Sequence, residues 1–183
     1  MDSLIKEIKQ SFRLYMDGAR AQSLREKGVQ YHLNWGVSLG HLQEMVRDYE
    51  PSHDLAAALW QENVRECKIM ATLLMPVDAM PEDEAREWIA NTPTQELAEI
   101  GTMTLYSRLP YAKDLAMSLM DKEGEMEQLH GWCILVRLMM QGLTLSDEEM
   151  RHVREKAAEV MKSGNLGLMR QASRAVAEVG ESA

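Results

Sequence analysis

The chain has 183 residues, a length that fits one domain or one continuous repeat array and can bury a substantial core. Hydrophobic residues make up 45% of the sequence, but only one residue is Phe, fifteen are Met, and runs of β-branched residues are missing. This composition favours helices over strands. We therefore expect one helical domain over residues 1–183.

Charge is unevenly distributed along the chain, whose formal net charge is −9. Residues 51–100 carry 3 basic and 10 acidic side chains, and residues 101–150 carry 4 and 8. Because DNA affinity depends largely on neutralising phosphates, this acidic middle argues against a broad DNA-binding footprint. A local basic patch remains, although an ordinary solvated helix surface is the favoured interpretation of it; it consists of Arg151, Arg154, Lys156, Lys162, Arg170 and Arg174.

Several other classes of protein are disfavoured by the sequence. No apolar stretch approaches the roughly 20 residues that span a bilayer, so we expect a cytoplasmic protein with no membrane partner. The two cysteines, Cys67 and Cys133, lie in apolar helical segments, as reduced core cysteines commonly do. The five histidines are scattered. We therefore expect neither a metal nor another cofactor.

In chain order, apolar residues at helical spacing predict helices over residues 3–16 and 19–30. A third helix begins after a cap at Ser38 and ends before Pro51. Residues 52–75 predict two tightly joined helices. The spacing of Glu62 and Glu66 places both carboxylates on one face, and the nearby Arg65 and Lys68 indicate a solvated charge network there.

Prolines and hydroxyl residues mark the later helices. Pro81 opens one helix, and Thr92 or Thr94 starts the next, whose inward residues are expected to be Leu97, Ile100, Met103 and Leu105. Pro110 starts a helix that runs through Met120. The last three helices are predicted over residues 125–142, 146–162 and 164–180, and Ser146 with Glu149 forms a capping box at the second of them.

A short helix backed by a longer one occurs twice. The sequence LAAALW at 55–60 precedes one long apolar helix, and LAMSLM at 115–120 precedes another, WCILVRLMM at 132–140. Such a pair cannot bury its apolar face alone and stacks on its neighbours. The pattern favours an all-α fold, an α-solenoid of antiparallel helix pairs of the HEAT-like or ARM type, over a compact bundle.

Four segments in order resemble the HEAT-like-repeat DNA alkylation repair family, the alkylpurine DNA glycosylases. They are WGVSLGHLQE at 35–44, DLAAALW at 54–60, ECKIMA at 66–71 and LMRQASRAVAEVG at 168–180. The resemblance extends over about residues 30–180 and rests on the order and spacing of these segments. It implies a helical-repeat fold and the removal of alkylated purines, in which one carboxylate stabilises positive charge developing on the sugar.

The functional positions that the resemblance implies are largely altered. Thr94 and Ala98 occupy the places of the family's Trp and catalytic Asp, Ile134 and Leu135 those of its groove arginines, and Ala175 that of a groove Trp. Glu99 and Glu96 are the candidate replacements for the carboxylate. A displacement of one residue turns a side chain by about 100° around the helix, which counts against Glu99. The candidate binding residues are Trp132, Trp35, Arg137, Arg170 and Arg174.

Three functional hypotheses follow. The leading one is a non-catalytic or diverged family member that binds duplex DNA through a local basic patch, or a protein on its concave face. The second is a true glycosylase that uses Glu99 or Glu96. The third is an interaction scaffold unrelated to DNA. Tryptophans at helix junctions more often pack in the core than stack on bases, which applies to Trp60, Trp88 and Trp132.

Overall fold

The computed structural model describes residues 1–28 and 31–181, and in these ranges it contains eleven α-helices and no β-strand. The helices are α1 (Asp2–Ser11), α2 (Gly18–Glu26), α3 (Leu39–Met45), α4 (His53–Gln61), α5 (Arg65–Leu74), α6 (Glu82–Ala90), α7 (Gln95–Thr104), α8 (Ala112–Met120), α9 (Glu125–Met140), α10 (Asp147–Val160) and α11 (Leu166–Glu181). Residue 30, the predicted end of the second helix, lies outside the described residues.

Hydroxyl side chains begin several helices, as the sequence predicts. Ser38 Oγ accepts the N–H of His41 at 3.2 Å, and Thr94, rather than Thr92, caps α7. The capping box is confirmed: Ser146 and Glu149 exchange side-chain-to-backbone hydrogen bonds of 2.8 and 3.3 Å.

The predicted inward placement of Met103 on α7 is wrong, since its side chain is 38% exposed. Each three-residue step falls about 60° short of a full turn, so two steps from Leu97 carry Met103 away from the core.

The chain divides into two compact units, and the first comprises Met1–Pro81. In this unit α4 packs against α5, and α3 also packs on α5. At the start of α5, Arg65 Nη1 lies 3.0 Å from Glu66 Oε1, and the two side chains are 3% and 0% exposed. The prediction of a solvated charge network is therefore wrong for this pair.

The buried pair connects α5 to a segment far away in sequence. Glu66 accepts the backbone N–H groups of Trp35 and Val37, each at 3.2 Å. Arg65 Nη1 donates to the Val37 carbonyl oxygen at 3.0 Å. These bonds satisfy the polar atoms that burial would otherwise leave without partners. They also hold the Trp35–Val37 backbone against the helix.

The second unit comprises Glu82–Ala183, and α9 is its centre. Helices α6, α7, α8 and α11 all pack on α9, and α10 packs on α11. Trp88 and Trp132 are 2% and 0% exposed, as expected for core residues. None of the helices in the described ranges is long and apolar enough to cross a membrane. That residues 1–183 form one domain stays a prediction.

Helices α8 and α9 approach so closely at Gly131 that a side chain cannot fit. A Cβ atom there would lie 2.8 Å from the Ala116 carbonyl oxygen and 2.9 Å from the Met120 nitrogen, both of which are backbone atoms. We expect Gly131→Ala to lower the free energy of unfolding by roughly 1–3 kcal/mol in urea denaturation. Gly180 on α11 has no such neighbour within 4 Å, so Gly180→Ala should leave stability unchanged or raise it. Equal stability of the two variants would contradict this close contact.

Candidate functional site

The second unit contains a pocket of about 490 Å³ between α7, α9 and α11. Each of these helices contributes at least one charged side chain to the wall. The lining residues are Glu99, Thr102 and Met103 from α7, Cys133, Val136, Arg137 and Met140 from α9, and Arg170, Gln171 and Arg174 from α11. The pocket therefore combines a polar rim with aliphatic and sulfur-containing side chains.

The pocket is positively charged, although the unit that contains it is acidic. Residues 82–183 include 11 Lys and Arg residues and 18 Asp and Glu residues, a formal net charge of −7. Three of those 11 basic residues, Arg137, Arg170 and Arg174, meet at the pocket beside one carboxylate, that of Glu99. Such a local reversal of sign favours an anionic ligand.

Glu99 is held by two donors. Arg170 Nη2 donates to Glu99 Oε1 at 2.6 Å, and Gln95 Nε2 donates to the same oxygen at 2.9 Å. The Arg170 and Glu99 side chains are 58% and 40% exposed, so water weakens the attraction between them. The carboxylate nevertheless lies beside a guanidinium that offsets its charge.

The other two arginines make few hydrogen bonds of their own. Arg174 Nη2 has the thioether of Met140 as its acceptor at 3.5 Å, which is a weak hydrogen bond. The Nε of Arg137 is buried and has no hydrogen-bond partner among the described residues. An anionic oxygen would accept from the Arg174 guanidinium better than the Met140 sulfur does.

Uncharged polar groups also line the pocket. Thr102 is 4% exposed, and within the described ranges its hydroxyl has no hydrogen-bond partner. Burial and, to a smaller extent, the nearby Glu99 carboxylate raise the pKa of the Cys133 thiol to about 12, so the thiol is neutral at pH 7. Cys133 therefore contributes a small apolar surface rather than a reactive thiolate.

Four of the seven residues singled out from the sequence come together here: Glu99, Arg137, Arg170 and Arg174. Glu96 does not line the pocket. Trp132 is fully buried, so its ring is not presented to a ligand as a binding residue would be. Trp35 belongs to the first unit, where it is half-buried.

The altered family positions are buried. Ala98, Leu135 and Ala175 are all 0% exposed, and Thr94 is 7% exposed. The 100° rotation that counts against Glu99 in the sequence is what brings its side chain to the pocket, while Ala98 faces the core. Gln95 and Glu99 are one turn apart and hydrogen-bonded, and this i, i+4 spacing in the sequence could have indicated the pocket face of α7.

Within residues 1–28 and 31–181, no cluster of His, Cys, Asp and Glu side chains could hold a metal ion.

Helices that pack in consecutive pairs, α4 with α5, α8 with α9 and α10 with α11, define the class as a helical-repeat protein. The family model described as DNA alkylation repair enzyme matches residues 8–163, and the chain belongs to this family. A solved structure titled as a new family of proteins related to the HEAT-like repeat DNA glycosylases, with affinity for branched DNA structures, is similar. Its TM-score is 0.83 at 16% identity, with 95% of this chain and 74% of that one covered, which confirms the HEAT-like fold class. No curated protein matches the chain.

Proposed function

We propose that this protein is a non-catalytic member of the DNA alkylation repair family that binds the DNA backbone at the pocket of the second unit. The observation that carries the proposal is the meeting of Arg137, Arg170 and Arg174 in a unit whose net charge is −7. Guanidinium groups pair with phosphate oxygens through charge-assisted hydrogen bonds, and such contacts supply much of the affinity for DNA.

The groups in the pocket fit base excision poorly. Excision of an alkylated purine needs a carboxylate that stabilises positive charge on the sugar. The charge of Glu99 is offset by Arg170 at 2.6 Å, and Gln95 occupies the same oxygen. In the part of the chain that the structure describes, no Trp, Tyr or Phe lines the pocket to frame a damaged nucleotide. These two features support DNA binding without base excision.

The class of DNA that we propose is branched DNA, because the similar solved structure comes from a family with affinity for branched DNA structures. Fluorescence anisotropy with a four-way junction and a linear duplex of the same sequence tests this. We expect tighter binding to the junction, and an affinity that falls as salt rises. Negligible binding to both at low salt would overturn the proposal. A protein partner recovered repeatedly without DNA would instead support an interaction scaffold.

A glycosylase is the second candidate, because Glu99 does line the pocket among three arginines. The test is release of a methylated purine from duplex DNA by the pure protein in single turnover, with Glu99→Gln as the comparison. We expect no release above background from either protein. Release by the unmodified protein that is lost in Glu99→Gln would establish the glycosylase and contradict our proposal.

Glu99→Gln should also strengthen the binding of DNA. Glu99→Gln removes a negative charge from the pocket and frees Arg170 for phosphate while retaining a similar shape. We expect DNA affinity to rise roughly 3- to 10-fold at low salt, with the gain shrinking as salt screens the charges. Glu96→Gln, on the same helix but outside the pocket lining, should change affinity less than about 2-fold. Loss of binding in Glu99→Gln would show that the carboxylate itself contacts the ligand.

A further inference from the structure

Three consecutive apolar residues project from the first unit. Leu14, Tyr15 and Met16 are 80%, 41% and 58% exposed at the end of the 3-10 helix that follows α1. Single exposed apolar residues are common on protein surfaces, but a contiguous group more often marks an interaction site. We call Leu14, Tyr15 and Met16 the apolar tip.

The fold holds the apolar tip in place from both sides. Phe12, two residues before Leu14, is fully buried. On the other side, the Asp17 N–H donates to the Trp35 carbonyl oxygen at 2.9 Å, and Asp17 caps α2 by accepting the Arg20 N–H at 2.9 Å. Gly36 has a φ of 72°, and a Cβ there would overlap the Asp17 carbonyl oxygen. These contacts fix the backbone on both sides of the apolar tip and thereby keep its side chains at the surface.

Flat rings and cations surround the apolar tip. The Tyr15 ring packs on the imidazole of His41, with centroids 4.9 Å apart and planes 37° apart. The guanidinium of Arg13 lies 5.7 Å from the centroid of the Trp35 ring. Beside the tip is a hollow of about 470 Å³, lined by Leu14, Tyr15, Met16, Asp17, Gly18, Arg20, Gly36, Ser38 and His41.

We propose that the apolar tip and His41 form a stacking site for an unpaired nucleobase, with Arg13 and Arg20 contacting the adjoining phosphates. An exposed ring and its aliphatic neighbours offer a flat surface that every base can stack on, and guanidinium groups supply the charge that follows a nucleic-acid backbone. The one carboxylate lining the hollow, that of Asp17, is directed to a backbone N–H by its capping bond. The two arginines therefore disfavour a basic or purely apolar partner, and the exposed Tyr15 ring favours a nucleic acid among anionic ones.

This site goes beyond the proposed function, since none of its residues lines the pocket of the second unit. It also suggests how the first unit would recognise branched DNA, where bases at branch points lose stacking neighbours. Apolar side chains at such points replace the stacking that the bases lose. Tyr15 is the residue on which the affinity should depend most.

The test uses a short oligothymidylate of about eight nucleotides, whose bases are all unpaired, and measures its binding by fluorescence anisotropy. We expect Tyr15→Ala to weaken binding roughly 10-fold and Tyr15→Phe, which keeps the ring, to change it less than about 2-fold. Leu14→Ser should weaken binding as well. Leu166→Ser is the matched control, because Leu166 is 79% exposed but lies on α11 in the other unit.

Two outcomes would overturn the stacking site. One is equal oligothymidylate affinity for Tyr15→Ala, Leu166→Ser and the unmodified protein. The other is self-association that Leu14→Ser abolishes while oligothymidylate binding stays unchanged, which would make the tip an interface between copies of this chain. Failure here leaves junction binding through the arginine pocket intact. Conversely, Tyr15-dependent binding of oligothymidylate without any junction binding would overturn the proposed function and support the stacking site.

Discussion

Replacing Glu66 with alanine should lower the free energy of unfolding by about 3–5 kcal/mol, the cost expected when one partner of a buried ion pair is removed. The substitution leaves the Arg65 guanidinium, 3% exposed, without its carboxylate. It also removes the acceptor of the Trp35 and Val37 N–H groups, each now bonded at 3.2 Å. A buried donor that loses its acceptor costs more than the hydrogen bond itself contributes. Urea denaturation followed by circular dichroism measures the change.

The matched control for this prediction is Glu62→Ala. Glu62 lies four residues earlier, between the end of α4 and the start of α5, so the predicted helix face shared with Glu66 does not form. It pairs with Lys9 at 2.8 Å, but the two side chains are 30% and 34% exposed. A pair so open to water should be worth no more than about 1 kcal/mol. A Glu66→Gln variant keeps one oxygen acceptor and should lie between the two. If Glu66→Ala and Glu62→Ala proved equally stable, the carboxylate would not brace the Trp35–Val37 segment.

The contrast between these two glutamates shows where sequence patterns stop being informative. Their i, i+4 spacing on a charged segment is equally compatible with a solvated face and with burial. Glu66 is buried because the backbone of Trp35 and Val37, 31 and 29 residues away in sequence, donates hydrogen bonds to its carboxylate. Helix caps such as Ser38 and Ser146 depend only on neighbours within one turn, so the sequence predicts them correctly.

The sequence pointed to individual charged residues of the candidate site, but not to their meeting in one pocket. The resemblance to the repair family drew attention to Arg170 and Arg174 on the last helix and to Arg137 on α9. Their convergence on Glu99 depends on packing between helices, since Arg170 and Glu99 are 71 residues apart. The side of α7 that lines the pocket was also beyond the sequence, because alignment by its apolar residues placed Ala98 at the family's catalytic position, whereas Ala98 is buried and Glu99 lines the pocket.

Joint replacement of Arg137, Arg170 and Arg174 with alanine is expected to weaken junction binding on the order of 100-fold at low salt. Each arginine that neutralises a phosphate releases a counterion, so the slope of log affinity against log salt should flatten by about 2–3. Anisotropy titrations at several salt concentrations give both quantities. Circular dichroism checks that the variant keeps its helices, which we expect because Arg170 and Arg174 are exposed and Arg137 is only half-buried.

A second triple variant separates the pocket from general surface charge. Arg151, Arg154 and Lys162 belong to the basic patch predicted from the sequence and are exposed in the same unit, but they do not line the pocket. Their joint replacement with alanine removes the same charge, so it should lower affinity only through the long-range field, by less than about 10-fold. Equal losses from both triple variants would show that DNA binds along the unit's surface rather than at the pocket.

A double-mutant cycle between Glu99 and Arg170 tests whether the ion pair between them influences the affinity for DNA. Arg170→Ala alone should cost more than Arg174→Ala, because it removes a phosphate donor and also leaves the Glu99 carboxylate facing the DNA without its guanidinium. Adding Glu99→Gln to Arg170→Ala should recover part of the loss. If the carboxylate and guanidinium act as one unit, the effects of the two single substitutions will not add. Strict additivity would mean that the 2.6 Å ion pair has no influence on DNA binding.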